Sequence, residues 1–209
     1  MQRTTGFVLA IVLFSATFLK AQTHNDTLRL RQLYGETEAF DAAIKQQALI
    51  GTDAPFILAT TPDNDEYTSD NLSDKVVLVH FWFLTCGGCL KENPILNKIN
   101  DTLKINYHFK ILAFANNTNE ELRHFLIRDS LYFGNSWQTI KKHPKLHFPI
   151  IADANEQVFN DFRGWSYPAN ILIDRNGIIR KIIYRHELDM TDQEFLEYML
   201  AQIQELLNE

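Results

Sequence analysis

The stretch that decides the fold runs from Val76 to Pro94, VVLVHFWFLTCGGCLKENP. Its first half, Val76 to Phe83, is continuous, apolar and rich in β-branched and aromatic residues, the pattern of a strand buried on both faces. Its second half opens on Cys86-Gly87-Gly88-Cys89 and passes into a helical pattern that reaches about Asn106. Cys89, Leu90, Ile95, Leu96, Ile99 and Leu103 are the apolar positions of that helix, and Pro94 inside it predicts a kink rather than a stop. Two cysteines three positions apart at a helix start can close a disulfide with little backbone movement. The first of them meets free N–H groups and the positive end of the helix dipole, both of which stabilise a thiolate. The thiolate is the attacking species in disulfide exchange. Cys86 is therefore expected to attack from a solvent-facing position, and Cys89, one turn in and buried, to resolve the mixed disulfide. Gly87 and Gly88 put no side chain over Cys86 and leave room for a protein substrate.

Outward from this stretch, strands and helices alternate. Lys110 to Ala115 reads as the next strand and Asn119 to Asp129 as a helix. Residues 130–147 are aromatic and basic, with weak periodicity. Pro149 to Ala152 is a short strand and Asn155 to Phe162 a short helix. Ala169 to Ile173 and Ile178 to Tyr184 are strands joined by Asp174-Arg175-Asn176-Gly177, where Asn-Gly is the hairpin signal. Thr191 to Leu207 closes the chain as an amphipathic helix, with Thr191 as N-cap and Glu194 three residues on. Upstream, Ala54 to Leu58 reads as a strand, Thr61 to Asp65 as a turn, and Tyr67 and Thr68 as the return. The fold class is α/β: a three-layer α/β/α sandwich over residues 51–209. Residues 22–50 form a charged, helical N-terminal extension.

The chain has 209 residues, 45% hydrophobic and 22% charged, with 8 Gly and 6 Pro, which excludes disordered and collagen-like classes. A net charge of −6 argues against a nucleic-acid partner. Two cysteines exclude a multi-disulfide scaffold. At the N-terminus, Arg3 precedes an almost unbroken apolar run from Phe7 to Leu19. That run has the length of a signal-peptide core and is short of the ~20 residues that span a bilayer. Residues 1–21 are expected to be a signal peptide cut after Ala21; the alternative is an uncleaved anchor that tethers the protein to the membrane. Either places it outside the cytoplasm, in a bacterial periplasm or envelope.

A C-x-x-C pair can also be half of a zinc site, but the chain has no second pair. His143 and His147 stand four apart with Pro144 between them, which breaks the helix such a pair needs. The run Val79-His80-Phe81-Trp82-Phe83-Leu84-Thr85-Cys86-Gly87-Gly88-Cys89-Leu90-Lys91-Glu92-Asn93-Pro94 resembles the active-site stretch of the thioredoxin superfamily. It is most similar to the exported TlpA-like, or redoxin, thiol–disulfide oxidoreductases. Gly51 to Phe56 (GTDAPF) and Trp165 to Gly177 (WSYPANILIDRNG) are similar to that branch's other signatures. The resemblance covers about residues 50–207, and the strand and helix at 149–162 match the central insertion of the branch.

The resemblance implies roles for further residues. Pro168 matches the cis-proline that faces the disulfide, and Tyr167 before it would offer its backbone to an incoming chain in β fashion. Glu92 matches the acid three positions after the second cysteine, where it would relay protons or raise a thiol pKa. His80 occupies the strand position at which thioredoxins place a buried acid. A neutral ring there would accept the Cys89 proton, whereas a core histidine would only be hydrogen-bonded. Thr85 stands where a substrate-facing Trp is usual, and Trp82 is either core or a further contact for partners. The expected function is reduction of protein disulfides by a dithiol cycle, recharged by an upstream electron-donor protein, with no cofactor and no metal. Two alternatives share the fold. A thiol peroxidase would need a Pro where Phe81 stands. A copper-delivery protein would have to recruit His147 or His186.

Overall fold

The computed structural model describes residues 26–209, so the expected signal peptide at 1–21 lies outside the described residues. The chain divides into two compact units between Lys45 and Gln46. The first contains helix α1 (residues 26–34) and most of helix α2 (Glu38–Gln47).

The second unit is built on a five-stranded sheet. Strand β3 (Val76–Trp82) is buried at every position, as its continuous apolar sequence requires. It pairs in parallel with β4 (Phe109–Ala115) and antiparallel with β6 (Ala169–Ile173). The full order is β5-β4-β3-β6-β7, with β5 (Ile150–Ala152) and β7 (Ile179–Ile183) at the edges. A separate hairpin joins β1 (Leu58–Thr60) and β2 (Glu66–Thr68).

Alternation along β3 assigns its side chains to two cores. Val76, Leu78 and Trp82 face helix α3 (Gly87–Leu103), helix α4 (Asn119–Leu126) and helix α8 (Asp192–Leu207) through Leu96, Ile99, Phe125 and Met199. Val77, Val79 and Phe81 face the opposite core with Ile57, Phe159 and Phe162. Phe159 belongs to α7 (Gln157–Asp161), so helices cover both faces of the sheet and the three layers stand as expected. His80 shares the parity of Leu78 and Trp82, and Asn170 that of Leu172. Both therefore point toward α3.

Two local expectations are corrected. Ala54–Leu58 is not a strand: pairing begins at Leu58, and Asp53 makes only an isolated bridge to Ile178. Pro55 has no N–H to give a ladder. The helix expected to reach Asp129 ends at Leu126, because Arg128 takes a positive φ of 59° and Asp129 caps the next helix. That helix, α5 (Ser130–Phe133), a 3₁₀ turn (Gly134–Ser136) and α6 (Trp137–Ile140) fill the aperiodic segment. Helix α3 passes through Pro94 and ends at Leu103, and the capping box of Thr191 and Glu194 forms on α8.

Candidate active site

The sheet delivers Cys86 to the carboxyl end of β3, as the N-cap of α3 with extended backbone. Its sulfur accepts a hydrogen bond from the Cys89 N–H at 3.1 Å, the group that would hold negative charge on a free Cys86 thiolate. The two cysteines are joined in a disulfide, with Cα atoms 5.2 Å apart. Cys86 is 4% exposed and Cys89 0%. The expected contrast between an open and a closed sulfur is thus small in the oxidised protein. What lies open is the rim, since Thr85, Gly87 and Gly88 are all exposed.

Pro168 faces this helix start, and the Tyr167–Pro168 peptide bond is cis. A Cβ at Gly88 would stand 2.9 Å from Pro168 Cδ, whereas one at Gly87 would meet nothing within 4 Å. The first glycine is free; the second is required by the proline. Tyr167 stacks on Phe159 at 4.3 Å and meets the edge of Phe83 at 5.4 Å. Its hydroxyl donates to Glu156 Oε1 at 2.9 Å, an oxygen that also accepts from Asn116 Nδ2 at 2.8 Å. Burial and that carboxylate hold the phenol pKa well above its usual range. The β5–α7 segment therefore holds the half-buried Tyr167 ring in place. Trp82, expected as a possible substrate contact, is corrected to core. It is fully buried, with ring centroids 5.8 Å from Phe125 and 5.4 Å from His143, because its parity turns it toward α3.

Glu92 is one turn beyond Cys89 on α3, and it is buried. Its Oε2 accepts from Asn170 Nδ2 at 2.8 Å. Burial pushes its pKa up to about 7, against the opposing effects of the Asn170 N–H and the Arg185 cation. His80 is buried too, and desolvation pushes its ring down to about 4, with Asn170 and Asn93 opposing and the nearby His143 assisting. Its Nδ1 donates to Asn170 Oδ1 at 2.9 Å. The ring is thus tied to Glu92 through Asn170, rather than hydrogen-bonded to a cysteine.

Asn170 and Asn93 were not singled out from the sequence, and His143 was weighed there only as half of a metal pair; all three are buried behind the dithiol. Asn93 Nδ2 donates to His143 Nδ1 at 3.0 Å, and His143 Nε2 donates to the Leu84 carbonyl at 2.9 Å, two residues before Cys86. One turn on, Asn97 Nδ2 donates to the Lys145 carbonyl at 2.8 Å and its Oδ1 accepts from the His147 N–H at 2.9 Å. Asn100 Nδ2 reaches the His147 carbonyl at 2.8 Å. The signal was an asparagine stripe at positions 93, 97 and 100, one face of a helix.

The AhpC/TSA family profile matches residues 50–182. The chain belongs to the AhpC/TSA family. This AhpC/TSA member is 29% identical over 142 residues to thiol-disulfide oxidoreductase ResA of Geobacillus kaustophilus, covering 66% of this chain and 71% of that one. It is 28% identical over 145 residues to thioredoxin-like protein YneN of Bacillus subtilis, covering 69% and 75%. Among solved structures, the thioredoxin domain of a Bacteroides vulgatus thiol-disulfide oxidoreductase superposes with TM-score 0.54 at 21% identity, over 74% of this chain and 97% of that one. A thiol-disulfide oxidoreductase from Bacteroides fragilis gives 0.51 at 18%, over 71% and 100%. The fold is that of thioredoxin, and the AhpC/TSA protein described here is a TlpA-like thiol–disulfide oxidoreductase with Cys86 and Cys89 as its pair. Phe81, at the place where a peroxide site needs a proline, is packed in the sheet among Phe114, Phe159 and Phe162.

Proposed function

We propose that the protein reduces disulfides of protein substrates outside the cytoplasm. The observation that carries this reading is the buried Glu92 carboxyl, one helical turn behind Cys89 and with a pKa near neutrality. In the reduced protein the Cys86 thiolate attacks a substrate disulfide, forming a mixed disulfide and releasing one substrate thiolate, which takes a proton from water. The Cys89 S–H bond then breaks, its proton passing to the Glu92 carboxylate while the electron pair stays on sulfur. That thiolate attacks Cys86 Sγ, closes the Cys86–Cys89 disulfide and expels the second substrate thiolate. Two electrons leave the protein, and an upstream dithiol donor must restore them. Glu92 serves because a carboxyl with pKa near 7 both takes and returns a proton at ambient pH. The Tyr167 backbone beside cis-Pro168 and the exposed Thr85, Gly87 and Gly88 form the docking rim. The Phe7–Leu19 run supports export; among the described residues no helix is long and apolar enough to cross a membrane. The decisive measurement is the reduction potential of the Cys86–Cys89 pair. A value near about −270 mV is expected of a reductant, and one near about −120 mV would make the protein an oxidant.

A further inference from the structure

The buried polar groups behind the disulfide form one chain with an accounting problem. From end to end it runs Glu92, Asn170, His80, Asn93, His143 and the Leu84 carbonyl. Four of its five links have measured lengths of 2.8, 2.9, 3.0 and 2.9 Å. The fifth position, between His80 and Asn93, is a gap: His80 Nε2 and Asn93 Oδ1 are buried without a hydrogen-bond partner among the described residues, as is the second Glu92 oxygen, Oε1, at the end of the chain. Asn93 is close enough to favour the protonated form of that ring.

Both ends of the chain, an ionised Glu92 and a carbonyl, only accept. Each of the four side chains between them, while neutral, donates at one end and accepts at the other. Five links need five protons, and these four groups supply four. With Glu92 ionised, one link must therefore bring two acceptors face to face. The unpartnered pair, His80 Nε2 and Asn93 Oδ1, is that link. One added proton repairs it. If Glu92 carries the proton, its O–H donates to Asn170 Oδ1 after the amide makes a half turn. Asn170 Nδ2 then donates to His80 Nδ1, and the ring's proton moves to Nε2, facing Asn93. If the ring carries it instead, His80 donates at both nitrogens. Buried polar groups left unsatisfied are costly, so the chain favours the state with the extra proton.

We propose that His80, Asn170, Asn93 and His143 are positioning residues that act through Glu92, a hydrogen-bonded chain that is complete only when Glu92 and His80 together hold one proton beyond the one that neutral His80 carries. The chain raises the affinity of Glu92 for the proton that Cys89 gives up, and it links that event to the Leu84 carbonyl just before Cys86. The charged and titratable groups facing it are Arg185 toward Glu92, and Arg128 toward His143. The proposal rests on the dithiol cycle above for its use, but its test does not.

The test uses the oxidised protein, in which no exchange occurs, and follows the Glu92 carboxyl by carbon NMR and the His80 ring by nitrogen NMR. His143→Phe removes the donor to Leu84, so the Asn93 amide is free to turn and give its N–H to His80. The shortage disappears although the change lies four links from Glu92. The apparent pKa of Glu92 is then expected to fall by at least about one unit, tenfold in proton affinity or about 1.4 kcal/mol. His143→Gln donates and accepts as the imidazole does, and should restore the parent value. Equal Glu92 pKa values in His143→Phe and parent would overturn the proposal, as a merely structural histidine predicts. The parent alone gives a second measurement should the Phe variant not fold. His80 Nε2 is expected to carry a proton below the Glu92 transition and to lose it in step with that transition. An unprotonated Nε2 on both sides of the transition refutes the chain. Failure of the reductase reading would show instead in the potential, with these spectra unchanged.

Discussion

Glu92 and His80 are both buried, and burial moves them in opposite senses, which decides how stability follows pH. Glu92 rises from 4.5 to about 7. Between those values the folded protein holds a proton that the unfolded chain has lost, so this residue lowers stability as pH rises. His80 falls from 6.5 to about 4. Across that range the unfolded chain binds a proton that the folded protein refuses, so this residue lowers stability as pH falls. In the overlap the two slopes oppose each other, and the parent should be nearly flat. Glu92→Gln removes one slope: its stability, from urea unfolding, should climb from pH 4 to 6.5 and exceed the parent's above pH 7 by on the order of 3 kcal/mol. His80→Asn should show the reverse, with stability falling between pH 4.5 and 7. Flat profiles in both variants would mean that neither group titrates as its burial dictates. The glycines make a second residue-scale contrast. Gly88→Ala puts a methyl 2.9 Å from Pro168 and should slow exchange with a small model disulfide by displacing it, whereas Gly87→Ala meets nothing within 4 Å and should slow it far less. Stopped-flow reduction of a model disulfide reads both, and equal rates would remove the constraint on Gly88.

At the scale of the element, α3 does two jobs on two stripes. Ile95, Leu96 and Ile99 pack the core, while Asn93, Asn97 and Asn100 tie down the segment 143–147. Asn97→Ala should cost about 1–3 kcal/mol, because it leaves the His147 N–H and the Lys145 carbonyl without their partner. A urea midpoint equal to the parent's would show that water replaces it without loss. This stripe also marks where sequence reasoning ran out. The strands were legible because burial writes itself in apolar residues: Val76 to Trp82 and Ala169 to Ile173 stand within a residue of their expected bounds. The dithiol was legible because its chemistry needs two cysteines at fixed spacing. Polar side chains at helical spacing look the same whether they face water or tie down a loop, and the Asn stripe has its partners nearly 50 residues away. His143 sits in a segment without periodicity, held by contacts rather than by pattern. Asn170 faces α3 only because β6 pairs beside β3, a fact of topology that local sequence does not carry.

At the scale of the whole molecule, the direction of electron flow is a statement about folding. The two thiols are free to form or break their bond in folded and unfolded chains alike, so the potential of the folded pair departs from that of an unstructured C-x-x-C by the difference in stability between oxidised and reduced protein. About 30 mV corresponds to about 1.4 kcal/mol for this two-electron couple. A strong oxidant of this fold has a reduced form more stable than its oxidised form, since a stabilised thiolate drives the disulfide open. Here the Cys86 sulfur faces one backbone N–H, and Cys89 lies wholly buried one turn before a Glu92 that is costly to ionise. A second negative charge beside that carboxyl is unfavourable, and the disulfide, being neutral, avoids it. The oxidised protein should therefore unfold at a higher urea concentration than the reduced protein at pH 7. The gap should narrow toward pH 5, where Glu92 holds its proton. Paired denaturation curves in the presence and absence of excess dithiol measure it directly. A reduced form more stable than the oxidised one would assign the protein to oxidation and overturn the reductase reading, while leaving its dithiol chemistry intact.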